Sequence, residues 1–153
     1  MQPMRHILLT GATGYIGRRL LQQLANAPDV SLRVLVRNRT KLPQAPDCLH
    51  VVEGSTLDPV ALAEAVRGID LAYYLIHSMG QGSDFEATDR ASAHNFLDAC
   101  VVAGVRRIVY LGGLGRHETA SPHLRSRMET GTILSSRPDR IQTIHFRAGV
   151  IIG

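Results

Sequence analysis

The sequence predicts a doubly wound α/β fold, in which helices cover both faces of one parallel sheet. Three observations lead to this prediction. Short apolar runs alternate with segments of helical periodicity along the chain, the first run ends in a glycine-rich turn that opens a helix, and residues 70–76 are apolar almost without interruption. Strands joined through helices run parallel because each crossover returns the chain to the same end of the sheet. With 153 residues, we expect one domain spanning 1–153.

Local patterns define the elements in order. Ile16 and Leu20 recur at helical spacing after the first strand, Asp58 is a suitable N-cap, and Gly104 ends the longest helix. We predict strands at Ile7–Thr10, Leu32–Val36, Leu49–Val52, Asp70–Ile76, Arg107–Leu111 and Ile141–Phe146. We predict helices at Tyr15–Ala27, Pro59–Val66, Asp84–Ala103 and Pro122–Leu134. The expected strand order is 3-2-1-4-5-6, with ligands at the carboxyl ends of the strands.

The turn after the first strand has the residues of a diphosphate cradle. Gly11 permits a sharp turn out of the strand, Gly14 allows phosphates to approach the backbone, and Gly17 lets the helix pack closely on the sheet. Free N–H groups at the start of the helix add donors and partial positive charge. We therefore expect a dinucleotide to contact Gly11, Thr13, Gly14, Tyr15, Ile16 and Gly17.

The end of the second predicted strand indicates which dinucleotide binds. An acidic residue there accepts hydrogen bonds from the ribose 2′-OH of NAD, but this chain has Arg37. A guanidinium pairs with a 2′-phosphate through a charge-assisted bond of about 1.5–3 kcal/mol, which favours NADP about tenfold to a hundredfold. NADP is thus the expected cofactor, in preference to NAD. Asp58 either contacts the adenine amino group or caps the helix that begins at Pro59.

The composition limits the classes of partner that we expect this chain to bind. The net charge is +4, but the basic residues are scattered, so we expect no nucleic-acid partner. Apolar runs are far shorter than the roughly 20 residues of a membrane helix, and residues 1–4 lead directly into the first strand, so we expect no membrane contact and a cytoplasmic location. Cys48 and Cys100 have no metal-ligand spacing, which predicts buried or partly buried thiols and no metal site.

Several segments together resemble the atypical short-chain dehydrogenase/reductases, and especially their NAD(P)-binding, nucleoside-diphosphate-sugar epimerase-like or NmrA-like group. They are Thr10–Gly17, Arg37, Ala72–Met79, Arg107–Gly115 and Arg147–Gly153. The resemblance implies a Rossmann fold. It also implies that the parent protein continues beyond Gly153 into a smaller substrate-binding region, and that this fragment exposes an apolar surface and self-associates.

The resemblance also implies a catalytic Tyr followed four residues later by Lys, with a supporting Ser at the end of the fifth strand. The tyrosines here are followed at that spacing by Arg19, His77, Ser78 and Leu114, and the Ser is replaced by Gly112 or Gly113. His123 and Arg127 keep the four-residue spacing on the predicted helix. Either His123 donates the proton and Arg127 holds the ribose, or both are surface residues of a helix that has lost its catalytic role.

Polar residues also follow the fourth strand. His77 and Ser78 either bond the ribose and phosphates of the cofactor or simply make a polar loop. Glu86 and Asp89 on the next helix are interpreted as solvated or capping groups.

Three functions are consistent with these residues. The leading hypothesis is an NADP(H)-binding domain of an enzyme that reduces, oxidises or isomerises a small organic substrate. The second is a non-catalytic NADP(H) redox sensor or assembly factor, which the missing Tyr and Lys favour. The third is a sugar-nucleotide epimerase or dehydratase that uses NAD, which Arg37 disfavours.

Overall fold

Six strands form a single parallel sheet with helices packed against it. The computed structural model describes residues 3–42, 49–78 and 84–152, and within them the strand order is β3-β2-β1-β4-β5-β6. The strands are β1 Arg5–Thr10, β2 Val30–Val36, β3 His50–Glu53, β4 Leu71–Tyr74, β5 Arg107–Gly113 and β6 Gln142–Ala148. The helices are α1 Tyr15–Ala25, α2 Pro59–Val66, α3 Asp84–Ala103 and α4 Pro122–Leu134. The predicted fold class and strand order are confirmed.

Alternating side chains of β1 divide the apolar interior between the two faces of the sheet. Leu8 belongs to a large cluster that includes buried residues of α2, α3 and α4. Ile7 and Leu9 belong to a second cluster, which contains Leu21 of α1. Successive strand residues point to opposite faces, so β1 is buried on both sides, as an unbroken apolar run predicts.

Every strand and the first helix differ from the prediction by one or two residues at one or both ends, as at the carboxyl ends of α1, β4 and β5. The first helix ends at Ala25, because the N–H groups of Asn26 and Ala27 both bond back to the carbonyl of Leu24. Strand β4 ends at Tyr74 and does not reach Ile76. Strand β5 runs on to Gly113, since its last residues still pair with β6.

No helix in the described ranges has the length and apolar character needed to cross a bilayer. Cys48 lies outside the described residues, whereas Cys100 is a fully buried free thiol, as expected. Burial raises the pKa of Cys100 well above its usual range. Exposed apolar side chains follow the last two strands, among them Leu114 and Val150. Self-association through such a surface stays a prediction.

Candidate functional site

The turn between β1 and α1 contains two positions, Gly11 and Gly17, at which the backbone geometry requires glycine. Gly11 has a φ of 74°, and a Cβ there would lie 2.4 Å from the carbonyl oxygen of Leu75. A Cβ on Gly17 would lie 1.9 Å from the carbonyl oxygen of Gly11. Any side chain at either position therefore displaces backbone, so both glycines have the local roles expected from the sequence.

Gly14 is different, because no atom of the residues that the structure describes requires a glycine there. A Cβ on Gly14 would have only the Gly11 carbonyl oxygen near it, at an ordinary 3.5 Å. Gly14 is exposed and is the N-cap of α1, and no side chain caps the helix. Its own N–H bonds Gly11, but the N–H groups of Tyr15 and Ile16 have no backbone or side-chain partner in the described part of the chain. The loop thus offers two free amides and open space above them, which fits an anion.

The rest of the loop is held by polar contacts. The Thr13 carbonyl accepts a hydrogen bond from Arg18 Nε at 2.9 Å. Thr10, which is fully buried, donates from Oγ1 to the Tyr73 carbonyl at 2.9 Å and accepts the Leu75 N–H at 3.4 Å. The last two contacts join the carboxyl ends of β1 and β4. Thr10 is therefore a site-forming residue whose role in joining these strands sequence analysis missed.

Two arginines follow β2, and only one of them is free. The N–H of Arg39 donates to Glu53 Oε2 at 3.3 Å, and its guanidinium donates to the Val51 carbonyl at 3.4 Å. The exposed side chain of Arg37 has no hydrogen bond or ion pair with any residue the structure describes. Arg37 therefore presents an uncommitted cation beside the loop, whereas Arg39 braces β2 and β3.

Asp58 caps α2. Its Oδ1 accepts the N–H groups of Val60 at 2.9 Å and Ala61 at 3.3 Å. Within the described ranges Oδ2 forms no hydrogen bond, so a contact with an adenine amino group stays a prediction beside the capping role that the structure shows.

His77, His123 and Arg127 lie near one another at the carboxyl end of the sheet. Desolvation, followed by the positive charge of Arg127, lowers the pKa of His77; the Asp89 carboxylate opposes this effect, and His123 is close enough to add to it when protonated. The His123 ring is stacked on Phe85 of α3, with centroids 4.4 Å apart and planes 20° from parallel. The two predicted catalytic residues and the polar loop after β4 are therefore brought together.

Arg127 is half-buried and only partly satisfied. One terminal nitrogen donates to the Leu111 carbonyl at a long 3.4 Å, and its buried Nε has no partner in the described chain. The Arg127 carbonyl accepts the Tyr110 hydroxyl at 2.8 Å, which ties α4 to β5. A buried guanidinium N–H without an acceptor is costly, and because this Nε is sealed from solvent, a ligand cannot reach it in the conformation described.

Neither buried tyrosine replaces the missing catalytic Tyr. Burial raises the pKa of Tyr110 to about 12 and that of Tyr74 still further. Both hydroxyls are committed, since Tyr110 bonds Arg127 and Tyr74 bonds Ser92 at 2.8 Å. Proton exchange at neutral pH favours pKa values near 7, so these tyrosines are structural.

The end of β5, where the resemblance implies a supporting Ser, is crowded by neighbouring side chains. A Cβ on Gly112 would lie 2.4 Å from His145 Nε2, and one on Gly113 would lie 2.3 Å from Leu124 Cδ1. His145 and Leu124 fill the space that a side chain at those positions would take. At Gly112 the absence of a side chain is thus built into the packing of β5 against β6, whereas at Gly113 only the flexible end of Leu124 would have to move.

The interpretation of Asp89 as a solvated or capping group is wrong. Asp89 is only 6% exposed; its Oδ1 accepts the Ser78 N–H at 2.9 Å and its Oδ2 accepts the Ser126 hydroxyl at 3.0 Å. Glu86, on the same helix, is half-buried. The error arises because both partners of Asp89 come from other segments, which helical spacing alone does not show. No group of three or more His, Cys, Asp or Glu residues within 3–42, 49–78 and 84–152 is arranged to hold a metal ion.

Known proteins resemble this chain in sequence and in fold. A family model described as NAD(P)H-binding matches residues 11–138. A reductase of (4-alkanoyl-5-oxo-2,5-dihydrofuran-3-yl)methyl phosphate from Streptomyces griseus is 34% identical over 112 residues, which is 73% of this chain and 36% of the relative. The chain therefore spans about a third of that relative's length.

Two solved structures show the same fold. The Bordetella bronchiseptica enzyme WbmH in complex with NAD+ has a TM-score of 0.80 and 19% identity, over 98% of this chain and 57% of its own. Triphenylmethane reductase of a Citrobacter species, complexed with NADP(H), has a TM-score of 0.69 and 23% identity, over 90% of this chain and 48% of its own.

Proposed function

We propose, since this chain belongs to the NAD(P)H-binding family, that it is the NADP(H)-binding part of an atypical short-chain dehydrogenase/reductase that acts on a small organic substrate. The observation that carries the proposal is the combination of the free Tyr15 and Ile16 amides with the uncommitted Arg37. The amides suit a diphosphate and the guanidinium suits the 2′-phosphate of the adenosine ribose.

The preference for NADP over NAD rests on Arg37. Proteins of this fold bind either dinucleotide, since the Citrobacter reductase holds NADP(H) and the Bordetella enzyme holds NAD+. In this chain the end of β2 carries a cation where an acidic side chain would select the free ribose 2′-OH. A single charge-assisted hydrogen bond gives about a tenfold to hundredfold preference for NADP.

The chemistry of such a cofactor is hydride transfer, and the chain supplies positioning and proton handling. Arg127, which is half-buried, holds a ribose hydroxyl through its guanidinium, and His123 donates or accepts the proton at the substrate oxygen. Its stack on Phe85 fixes the plane of the His123 ring. His77 and Ser78 supply hydrogen bonds on the β4 side. The Streptomyces relative is named as a reductase, which supports the reductive direction.

A non-catalytic NADP(H) sensor is the second candidate, because no tyrosine is followed four residues later by a lysine. The hydroxyls of the two most buried tyrosines, Tyr74 and Tyr110, are already engaged in structural hydrogen bonds. Replacing His123 by Ala in the complete protein separates the two functions. A large loss of turnover with unchanged NADPH affinity supports the enzyme, and unchanged turnover removes the proposed role of His123.

Cofactor choice is tested by titrating the chain with NADPH and NADH. We expect NADPH to bind at least about tenfold more tightly. Arg37→Ala should abolish that preference by weakening NADPH binding alone, whereas the matched control Arg39→Ala should keep it, since Arg39 is already engaged with Glu53 and Val51. A preference for NADH in the unaltered chain would instead support the NAD-dependent epimerase or dehydratase.

A further inference from the structure

The longest helix, α3, turns a row of polar side chains toward the protein interior. Asp89 and Ser92 are 6% and 3% exposed, and Asn95 is half-buried. Their spacing of three residues places them on one face of the helix. Polar groups are rare in such positions unless each is hydrogen-bonded, and here the three reach the loops that follow β3 and β4 at the carboxyl edge of the sheet.

Asp89 joins the two segments on the β4 and β5 side of that edge. One carboxylate oxygen accepts the Ser78 N–H, directly after His77, and the other accepts the hydroxyl of Ser126, directly before Arg127. A buried carboxylate is costly unless its oxygens are paired, so both bonds have to persist in the fold. One side chain therefore sets the distance between the loop after β4 and the helix that carries Arg127.

Ser92 and Asn95, one and two turns further along, serve the β3 side. The Ser92 hydroxyl forms hydrogen bonds with the hydroxyls of Thr56 and Tyr74, and Asn95 Nδ2 donates to the Thr56 carbonyl at 3.2 Å. Thr56 lies in the loop between β3 and the Asp58 cap. The same face of α3 thus braces two loops on opposite sides of β1.

We propose that Asp89 is a positioning residue for the nicotinamide half of the bound dinucleotide, and that Asn95 has the corresponding role for the adenine half. The proposal rests on the proposed NADP(H) binding. In this fold the adenosine lies beyond β2 and β3, and the reacting end of the cofactor lies beyond β4 and β5. Asp89 acts only through Ser78 and Ser126, because its own carboxylate is buried behind them.

The test compares two ligands that share one half. NADPH occupies both halves of the crevice, whereas 2′,5′-ADP occupies the adenine half alone. Asp89→Asn keeps the shape of the side chain but presents an NH₂ group to one of its two hydrogen-bond donors, the Ser78 N–H or the Ser126 hydroxyl. We expect it to weaken NADPH binding about tenfold, which corresponds to the loss of one hydrogen bond to a charged group, and to leave the affinity for 2′,5′-ADP unchanged.

Two further variants act as controls. Asn95→Ala should weaken the binding of both ligands by a similar factor, because it loosens the loop that both contact. Asp98→Asn changes an exposed carboxylate on the same helix, whose one ion-pair partner among the described residues is Arg137 at 3.1 Å, and should change neither affinity. Hydrogen exchange without any ligand supplies an independent readout, since the Ser78 amide should exchange faster in Asp89→Asn.

Each outcome decides between the proposals. Equal losses for both ligands, or no loss, in Asp89→Asn would overturn the role of Asp89 while NADP(H) binding by the unaltered chain stood. Failure of that chain to bind either ligand would remove the proposed function and this inference with it. If Asp89→Asn does not fold, Ser126→Ala removes one of the two contacts, and it must still weaken NADPH binding selectively.

Discussion

Replacing Gly131 by Ala is expected to destabilise this protein, although replacing glycine by alanine inside a helix usually stabilises that helix. Gly131 lies in α4, where alanine normally gains about 0.5–1 kcal/mol over glycine. Here the added Cβ would lie 2.2 Å from Cε1 and 2.7 Å from Nδ1 of His145. These separations are far below contact distance, so the imidazole or the helix has to move.

The imidazole has little space to retreat. Its Nε2 already lies 2.4 Å from the point that a Cβ on Gly112 would occupy, and the ring centroid of Tyr110 is 4.9 Å away. Overpacking a filled interior costs about 1–3 kcal/mol. After subtraction of the helix-propensity gain, Gly131→Ala should lower the free energy of unfolding by about 1 kcal/mol, and by no more than about 2.5.

Urea unfolding of four proteins measures this effect: the unaltered chain, Gly131→Ala, His145→Ala and the double variant. In the His145→Ala background, Gly131→Ala should raise the free energy of unfolding by about 0.5–1 kcal/mol, the usual gain of alanine over glycine in a helix. The effect of Gly131→Ala on stability therefore changes sign between the two backgrounds. The same sign in both backgrounds would show that His145 is not the obstacle and that the reasoning is wrong.

Other predictions concern the glycine turn and the half-buried imidazole of His145. Gly14→Ala should leave the free energy of unfolding within about 1 kcal/mol of the original, since only an N-cap preference is lost. It should nevertheless weaken NADPH binding, as measured by titration. Gly17→Ala should lower both the stability and the NADPH affinity, because its Cβ meets the Gly11 carbonyl oxygen. Burial, and then the charge of Arg147, lowers the pKa of His145 below its ordinary 6.5. Below that pH the unfolded chain binds the proton more readily than the native one, so stability is present above pH 6.5 and declines as the pH falls through it. His145→Gln should flatten this decline in urea unfolding, and an equal slope in that variant would contradict the assignment.

The sequence predicts helices more accurately than strand ends in this protein. The bounds of α2, α3 and α4 agree with the prediction, because local residues such as Asp58 and Gly104 mark where a helix starts or stops. Strand ends depend on a partner that is distant in sequence. Strand β4 stops early where Thr10 takes the Leu75 N–H, and β5 continues because β6 still lies beside it.

The same distinction applies to the candidate site. The glycine turn is contained within seven residues, so its geometry follows from local chemistry. Asp89 bonds residues 11 and 37 positions away, and no periodicity within its helix reveals those partners. Arg33 is a similar case, since its guanidinium donates to the Glu64, Ala65 and Arg67 carbonyls at the end of α2 from within an otherwise apolar strand. Polar residues that join distant segments emerge only once the strand order is known.

The three glycines of the turn are not equivalent evidence for function. Gly11 and Gly17 are required by contacts between backbone atoms, so any chain that makes this turn needs them whether or not it binds a nucleotide. Gly14 has no such requirement, because its missing side chain leaves open space beside the free amides of Tyr15 and Ile16. No residue that the structure describes fills that space, so it is open to a ligand. Gly14, rather than the motif as a whole, is therefore the residue that argues for a bound diphosphate.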